Sequence, residues 1–234
     1  MNAKVIWHDV ECGAYRADLP LWRELAREAA GPVLDVGAGT GRVALDLARA
    51  GHDITALDID GELLAELEAR ADGLPVRTLV ADAADFDAGT TFALVIVPMQ
   101  TIQLLPERHG FFASARRAVA PGGCVALAIS EQLEAFEAEL ELPPPDTGEA
   151  DGWRFLSQPT AVREVAEGMR IERLRHTIGP AGERATEPNV IVLAPVTAEG
   201  LIEEAEAAGL RRHATLHIAP TPEHVGSEVV LLRG

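Results

Sequence analysis

The sequence predicts an α/β protein: a doubly wound, mostly parallel sheet of seven strands, interrupted after the fifth by an antiparallel lid-like insert. Three observations predict it. Apolar, strand-like runs alternate with helix-period segments five times between Val33 and Ile129. The first of these runs breaks into three alternate glycines, Gly37, Gly39 and Gly41, and then into a helical pattern. Beyond Ser130 the alternation stops, and strand-like runs follow one another with no helix between them, as antiparallel pairing requires.

At 234 residues the chain is long enough for one doubly wound domain with an embellishment and short for two. Residues 1–234 are therefore read as a single domain, with a helical N-terminal cap at 1–30 and the insert at 131–195. A formal charge of −17 repels phosphates, which argues against a nucleic acid partner. Cys12 and Cys124 are the only cysteines, and the opening residues lack an apolar stretch of signal-peptide length, so a reducing cytoplasm is expected. No run approaches the roughly eighteen apolar residues of a membrane span, and no membrane partner is expected.

Taken in order, residues 1–13 are mixed, with Trp7, His8, Asp9 and Glu11 ahead of Gly13. From Tyr15 to Ala30 the spacing of Leu21, Trp22, Leu25, Ala26 and Ala29 is helical, and Gly31-Pro32 ends it. The first strand starts at Val33. After the glycines, Val43, Ala44, Leu47 and Ala48 form an apolar stripe, with Gly51 past its end. A second strand, Ile54 to Leu57, closes on Asp58, and a helix covers Glu62 to Arg70. Val76 to Val80 is the third strand, followed by Asp82. Phe92 to Val97 is the fourth, apolar throughout as buried parallel strands are. Pro106 suits the first turn of a helix that carries Phe111, Phe112, Ala115 and Val119, and Cys124 to Ile129 is the fifth strand.

Residues 131–153 hold eight carboxylates and no Lys, Arg or His, with three consecutive prolines at 143–145, which predicts a solvated helix and loop. Trp153 to Ser157, Met169 to Ile178 and Val190 to Leu193 are the strands of the insert. Thr197 can cap a helix bearing Leu201, Ile202, Ala205 and Ala208. Leu210 to Ile218 and Ser227 to Leu232 close the chain as two strands, read as a hairpin.

The glycine loop has a physical reason. Glycine reaches positive φ and lets backbone approach a ligand, and the following helix adds free amides and partial positive charge. A dinucleotide fingerprint wants a small residue at position 42, where this chain has Arg42. The series from Asp35 is instead Asp-x-Gly-x-Gly-x-Gly. With Ala56-Leu57-Asp58-Ile59-Asp60, Asp82-Ala83, the run from Phe92 to Leu105 and the turn Ala120-Pro121-Gly122-Gly123, it resembles, motif by motif over residues 15–130, the class I S-adenosylmethionine-dependent methyltransferases.

The resemblance implies a Rossmann-like methyltransferase fold, S-adenosyl-L-methionine as cofactor and a set of site residues. Asp35, Gly37, Ala38 and Gly39 would surround the methionine moiety, Asp58 the ribose and Ile59 the adenine face. Asp82 and Ala83 would meet the adenine edge, with Pro98 and Met99 beside the cofactor after the fourth strand. The stretch Val97-Pro98-Met99-Gln100 departs from the Asn/Asp-Pro-Pro-aromatic pattern of nucleic acid amino-methyltransferases, which favours a small-molecule acceptor with an oxygen or nitrogen as the methylated atom.

Displacement at a sulfonium mainly needs a nucleophile placed in line, and orientation alone can lower the barrier by about 7 to 11 kcal/mol in well-oriented cases. A base is needed only where the acceptor is protonated. Tyr15, on the helix before the glycines, is the aromatic expected over the cofactor, although packing alone would also explain it. Gln100, with Thr101 and Gln103, follows the fourth strand where the acceptor should lie, and His8 is the candidate base. The histidines show no metal-ligand spacing; His213 and His217 share a strand face with Thr215, and no metal is expected. Trp153 and Phe155 give the insert one apolar face, suited to covering an acceptor or to pairing with a second copy of the chain in a homodimer. Two rival readings stay open: a non-catalytic S-adenosylmethionine-binding module, and an NAD-dependent oxidoreductase, for which Asp58 would also suit the ribose.

Overall fold

The computed structural model describes residues 2–131, 133–137, 142–221 and 224–234. In chain order the elements are α1 (Ala3–Cys12), α2 (Leu19–Ala29), β1 (Val33–Val36), α3 (Ala44–Arg49), β2 (Ile54–Asp58), α4 (Gly61–Ala71), β3 (Val76–Val80), β4 (Phe92–Val97), a 3-10 turn (Thr101–Leu104) and α5 (His109–Ala118). Then come β5 (Val119–Ile129), β6 (Phe136–Glu137), β7 (Asp146–Ala150), β8 (Trp153–Val165), β9 (Gly168–Ile178), β10 (Arg184–Leu193), α6 (Ala198–Ala207), β11 (Arg211–Ile218) and β12 (Ser227–Arg233).

They form two compact units, one of Arg16–Glu131 with Val196–Gly234 and the other of Met1–Tyr15 with Gln132–Pro195. The N-terminal segment read as one helical cap is thus two helices, α1 in the smaller unit and α2 in the larger.

The larger unit is a seven-stranded sheet in the order β11-β12-β5-β4-β1-β2-β3, parallel from β1 to β5, with β12 antiparallel to both of its neighbours. The four residues of β1 are all buried, the mark of a central strand covered on both faces. One face packs against α2, α3 and α4 through Trp22, Leu25, Leu47, Leu64 and Leu67. The other packs against α5 and α6 through Phe111, Phe112, Leu201 and Ile202. Strand order reverses between β1 and β4, and a switch of this kind, at the carboxyl ends of the strands, is where open α/β sheets bind ligands.

Boundaries moved where a tertiary contact overrides the local pattern. The helix expected from Tyr15 begins at Leu19, with Pro20 in its first turn, and α5 begins at His109 rather than at Pro106. Residues 101–104, read as loop, wind into the 3-10 turn.

In the smaller unit β10, β9, β8 and β6 lie in that order, with β7 also paired to β8 and all pairs antiparallel. Helix α1, in a segment whose apolar spacing was too irregular to predict it, covers this sheet through Trp7, which meets Phe155 edge to face at 5.5 Å. The apolar face expected of Trp153 and Phe155 is therefore occupied by the unit's own helix. Gly148 permits the approach, since a Cβ there would lie 2.7 Å from a Val10 methyl. The solvated helix expected within 131–153 is replaced, among the described residues, by β6 and β7; residues 132 and 138–141 of that stretch lie outside them. The cause is β8, which at 13 residues offers a hydrogen-bonding edge that local sequence cannot reveal. Its acidic partner β7 is an edge strand whose charges discourage further pairing.

Candidate functional site

The site is built from strand ends of the larger unit. At the end of β1, Gly37, Gly39 and Gly41 have φ of +74°, +55° and +91°, a turn in which other residues are strained. A Cβ on Gly37 would run into the side chain of Thr101 beyond β4, and one on Gly41 would sit 2.7 Å from Leu67. The backbone here is drawn tight against its neighbours on both sides.

The amides of this loop are engaged within the protein. Those of Gly37 and Ala38 donate to the Leu57 carbonyl (2.8 and 3.0 Å), that of Gly39 to the Asp58 carboxylate (2.8 Å), and that of Gly41 to the Ala38 carbonyl (2.9 Å). Sequence reasoning expected free donors at this loop. What Gly37 and Gly41 supply instead is close packing of the loop against Thr101 and Leu67, with the loop fixed in place by β2.

Asp58 ends β2 half-buried, each oxygen accepting one backbone amide: Oδ2 from Gly39 and Oδ1 from Asp60 (2.9 Å). Asp60, not Asp58, caps α4 by accepting from the Glu62 amide (2.9 Å). A carboxylate has about four lone-pair directions, so Asp58 keeps acceptor capacity for a ligand's hydroxyls. The next residue, Ile59, is 70% exposed, and Val80 at the end of β3 is 61% exposed, which leaves apolar side chains on the rim beside a polar anchor. Asp82 is exposed and accepts from the Ala84 amide (2.8 Å), forming its own turn, while Ala83 packs partly into the core. The Ala81 amide donates to the Asp58 carbonyl (3.0 Å) and ties this turn to the anchor.

After β4, Met99 has φ +55°, rare for a side chain of that size and a sign of backbone strain held by its surroundings. The Thr101 hydroxyl donates to the Pro98 carbonyl (3.1 Å). Gln100 donates to the Ser130 hydroxyl (2.9 Å). Gln103, 3% exposed, holds both backbone groups of Ser130, donating to its carbonyl (3.2 Å) and accepting from its amide (2.8 Å). Ser130 thus joins the ends of β4 and β5, a role invisible from its sequence position.

Asp35, on β1 beneath the loop, is 1% exposed, and neither of its oxygens has a hydrogen-bond partner. Burial pushes its carboxyl up to about 7, against the pull of the Arg42 guanidinium and the Ala44 amide. Arg42 is itself held by Asp18 at the start of α2, through two hydrogen bonds of 2.6 and 2.7 Å, and Asp18 also accepts from the Trp22 indole (2.8 Å). The pair is 7% and 1% exposed at the side chains, and it fastens α2 to the glycine loop. Arg42 marks the absence of a dinucleotide fingerprint in the sequence; its structural work appears only with Asp18 beside it.

Asp35, Gly37, Ala38, Gly39, Asp58, Ile59, Asp82, Ala83, Pro98, Met99 and Gln100 all belong to the loops and strand ends of the larger unit. His8 and Tyr15 belong to the smaller one, His8 half-buried on α1 and Tyr15 6% exposed just after it. That unit has its own polar centre, which sequence reading missed. Glu11 accepts two hydrogen bonds from Arg175 (both 2.8 Å) and one from Ser157 (2.8 Å), and Arg175 lies 5.2 Å from the Trp7 ring centre. Burial works to raise the Glu11 carboxyl, but the bonds from Arg175 and Ser157 prevail and hold it below its ordinary range. His213 accepts from Arg233 (3.1 Å) and His217 meets Glu228 (3.1 Å), so each histidine of that strand face has a local partner.

A family described as a methyltransferase domain matches residues 33–123. Ubiquinone biosynthesis O-methyltransferase of Psychrobacter arcticus is 30% identical over 179 residues, which is 69% of this chain and 66% of that protein. The protein of the same name from Pectobacterium atrosepticum is 35% identical over 153 residues, 60% of this chain and 62% of that one. The chain thus spans slightly under two thirds of the length of these relatives. Among solved structures, the sugar N-methyltransferase KedS8 of Streptoalloteichus is similar with a TM-score of 0.72 at 19% identity, covering 100% of this chain and 94% of that one. CalS10, an amino pentose methyltransferase of Micromonospora echinaspora, gives a TM-score of 0.71 at 20% identity, covering 100% and 98%.

Proposed function

From its similarity to methyltransferases we propose that this chain is a class I S-adenosylmethionine-dependent methyltransferase, which moves a methyl group from that cofactor to an oxygen or nitrogen of a small-molecule acceptor. One observation carries the reading: Asp58 is anchored against Gly39, with the exposed Ile59 next to it and a buried carboxylate, Asp35, left without a partner beneath the same loop. An anchored acceptor, an apolar rim and a buried acid without a dedicated counter-charge suit a nucleoside that carries positive charge.

In this reading Asp58 receives the ribose hydroxyls, Ile59 covers the adenine face, and Asp82 and Ala83 meet its edge. Gly37, Ala38 and Gly39 would line the methionine end, with Pro98 and Met99 also beside the cofactor. The bound cofactor supplies a methyl group on a positively charged sulfur. The chain's task is to hold that group and exclude water while the acceptor is aimed at it, and orientation of this kind can lower the barrier by about 7 to 11 kcal/mol in well-oriented cases. Gln100, held by Ser130, is assigned to the acceptor side. His8 as base and Tyr15 as aromatic contact rest on the sequence, and turnover of His8→Gln and Tyr15→Phe tests them. The ubiquinone biosynthesis O-methyltransferases and the sugar N-methyltransferase KedS8 named above support an oxygen or nitrogen acceptor, and the net charge of −17 disfavours a polyanionic one.

The test is melting with S-adenosylhomocysteine and with NAD in parallel, followed by turnover of labelled S-adenosylmethionine against phenols, amines and carboxylates. Stabilisation by S-adenosylhomocysteine alone and methylation of one acceptor class are expected. Stabilisation by NAD alone would overturn the cofactor assignment, and binding without turnover of any acceptor would favour a non-catalytic module.

A further inference from the structure

We infer that a ligand bringing positive charge to the Gly37–Gly41 loop drives a proton off Asp35, so that binding at this site is coupled to proton release. The inference rests on the cofactor reading above and adds to it a property of this chain's own residues.

The surroundings of Asp35 carry the argument. Buried carboxylates in folded proteins almost always have hydrogen-bond partners, and Asp35 has none on either oxygen. It is the third residue of β1, opposite Ala56 of β2 and Ile96 of β4, neither of which offers a polar side chain. The charged groups that face it are few. Arg42, from the loop side, is already paired bidentately with Asp18. Asp58, from the end of β2, and Asp18, from the start of α2, add like charge, and at α3 the Ala44 amide is the opposing dipole. The protein therefore provides Asp35 with no dedicated counter-charge, so that its protonated and ionised forms are close in free energy at neutral pH and the protonated form is the cheaper below it.

An opposite charge within about 4 to 6 Å lowers a carboxyl pKa by roughly 1 to 3 units without needing contact. A ligand ammonium or sulfonium at the loop is such a charge. The event is a simple ionisation: the O–H bond of Asp35 breaks, the proton passes to a buffer base, and the carboxylate stays behind facing the cation. No bond to the ligand forms. Binding weakens in acid, where the proton must be removed first.

Isothermal titration calorimetry in buffers of different ionisation heat counts the protons. S-adenosylhomocysteine, whose amino-acid end carries an ammonium beside a carboxylate, is compared with adenosine, which lacks both. Starting from a carboxyl near 7, S-adenosylhomocysteine should release close to one proton at pH 6 and about half a proton at pH 7, and bind about fivefold more weakly at pH 6 than at pH 7. Adenosine should release none. Asp35→Asn, with folding checked by circular dichroism, should bind S-adenosylhomocysteine with no proton release and no change between the two pH values. If Asp35→Asn does not fold, the contrast between the two ligands on the unaltered chain decides. Binding of S-adenosylhomocysteine without proton release, or equal release with adenosine, overturns this inference and leaves the cofactor reading intact. Failure of both ligands to bind removes the cofactor reading and this inference with it.

Discussion

The Asp58 carboxylate accepts the Gly39 amide at 2.8 Å, so the acid at the end of β2 and the turn at the end of β1 are one object rather than two neighbours. The same acid also takes the Asp60 amide. Its position follows from local hydrogen bonds, and a ligand finds it already aimed.

Replacing Asp58 by Ala should therefore act twice. Two backbone amides lose their acceptor, at a cost of about 1 to 3 kcal/mol, and the stabilisation by S-adenosylhomocysteine disappears. That stabilisation in the unaltered chain should be about 2.7 kcal/mol at a hundredfold excess over Kd, read as a rise in melting temperature. An undiminished rise in Asp58→Ala would mean that the nucleoside is held elsewhere.

The buried pair of Arg42 and Asp18 ties α2 to the loop. Asp18→Ala leaves a buried guanidinium without its partner and should destabilise by about 3 to 5 kcal/mol, measured as a lower urea midpoint. The double variant Asp18→Ala/Arg42→Met should recover part of the loss. Equal loss in both would show that the charge left behind is not the cause.

Much of this could be read from residues alone, and the limits have physical reasons. The alternation of apolar runs and helical stripes located β1 to β5, because parallel strands buried on both faces leave an unbroken apolar signal. The spacing from Asp35 to Gly41, with the acids at 58 and 82, located the strand ends that carry the site. The destinations of the loop amides were not legible, because they depend on the register of β1 against β2. The same holds for Ser130, whose partners Gln100 and Gln103 lie near the end of β4 and outside any local pattern. Helix α1 and strands β6 and β7 were hidden for a related reason: both depend on β8, whose full length no local run disclosed.

Gly37→Ala should lower both stability and affinity for S-adenosylhomocysteine, since its φ of +74° strains a side chain and the new Cβ meets Thr101. Adding Thr101→Ala relieves the collision and leaves the strain, so partial recovery of the melting temperature is expected. Full recovery would show that backbone strain contributes nothing there.

The acid of Asp35 gives a pH signature of stability with a definite sign. In the native chain it titrates near 7, against an ordinary value of 3.8 when unfolded. Between these values the native state holds the extra proton, so this contribution is fully present below about pH 4 and is lost as pH rises through 7. Asp35→Asn escapes the loss and should gain on the unaltered chain between pH 5 and pH 8 in urea midpoints. A variant that loses ground over that interval would mean the carboxylate is stabilised by groups that the structure does not place there.

Glu11 works in the opposite direction. Its bonds from Arg175 and Ser157 hold it below the ordinary 4.5, so their stabilisation exists above that value and fades as pH falls below it. Glu11→Gln should speed amide hydrogen exchange in β8 and β9 at pH 7 and remove the acid sensitivity of that sheet. Unchanged exchange would leave the Glu11–Arg175 pair without a structural role.

A crystal structure with S-adenosylhomocysteine bound tests the site as a whole. The ribose hydroxyls should lie on Asp58, the adenine against Ile59 and the amino-acid end along Gly37 to Gly39. A nucleoside bound away from Asp58, or a loop that must be rebuilt to admit it, would contradict this arrangement.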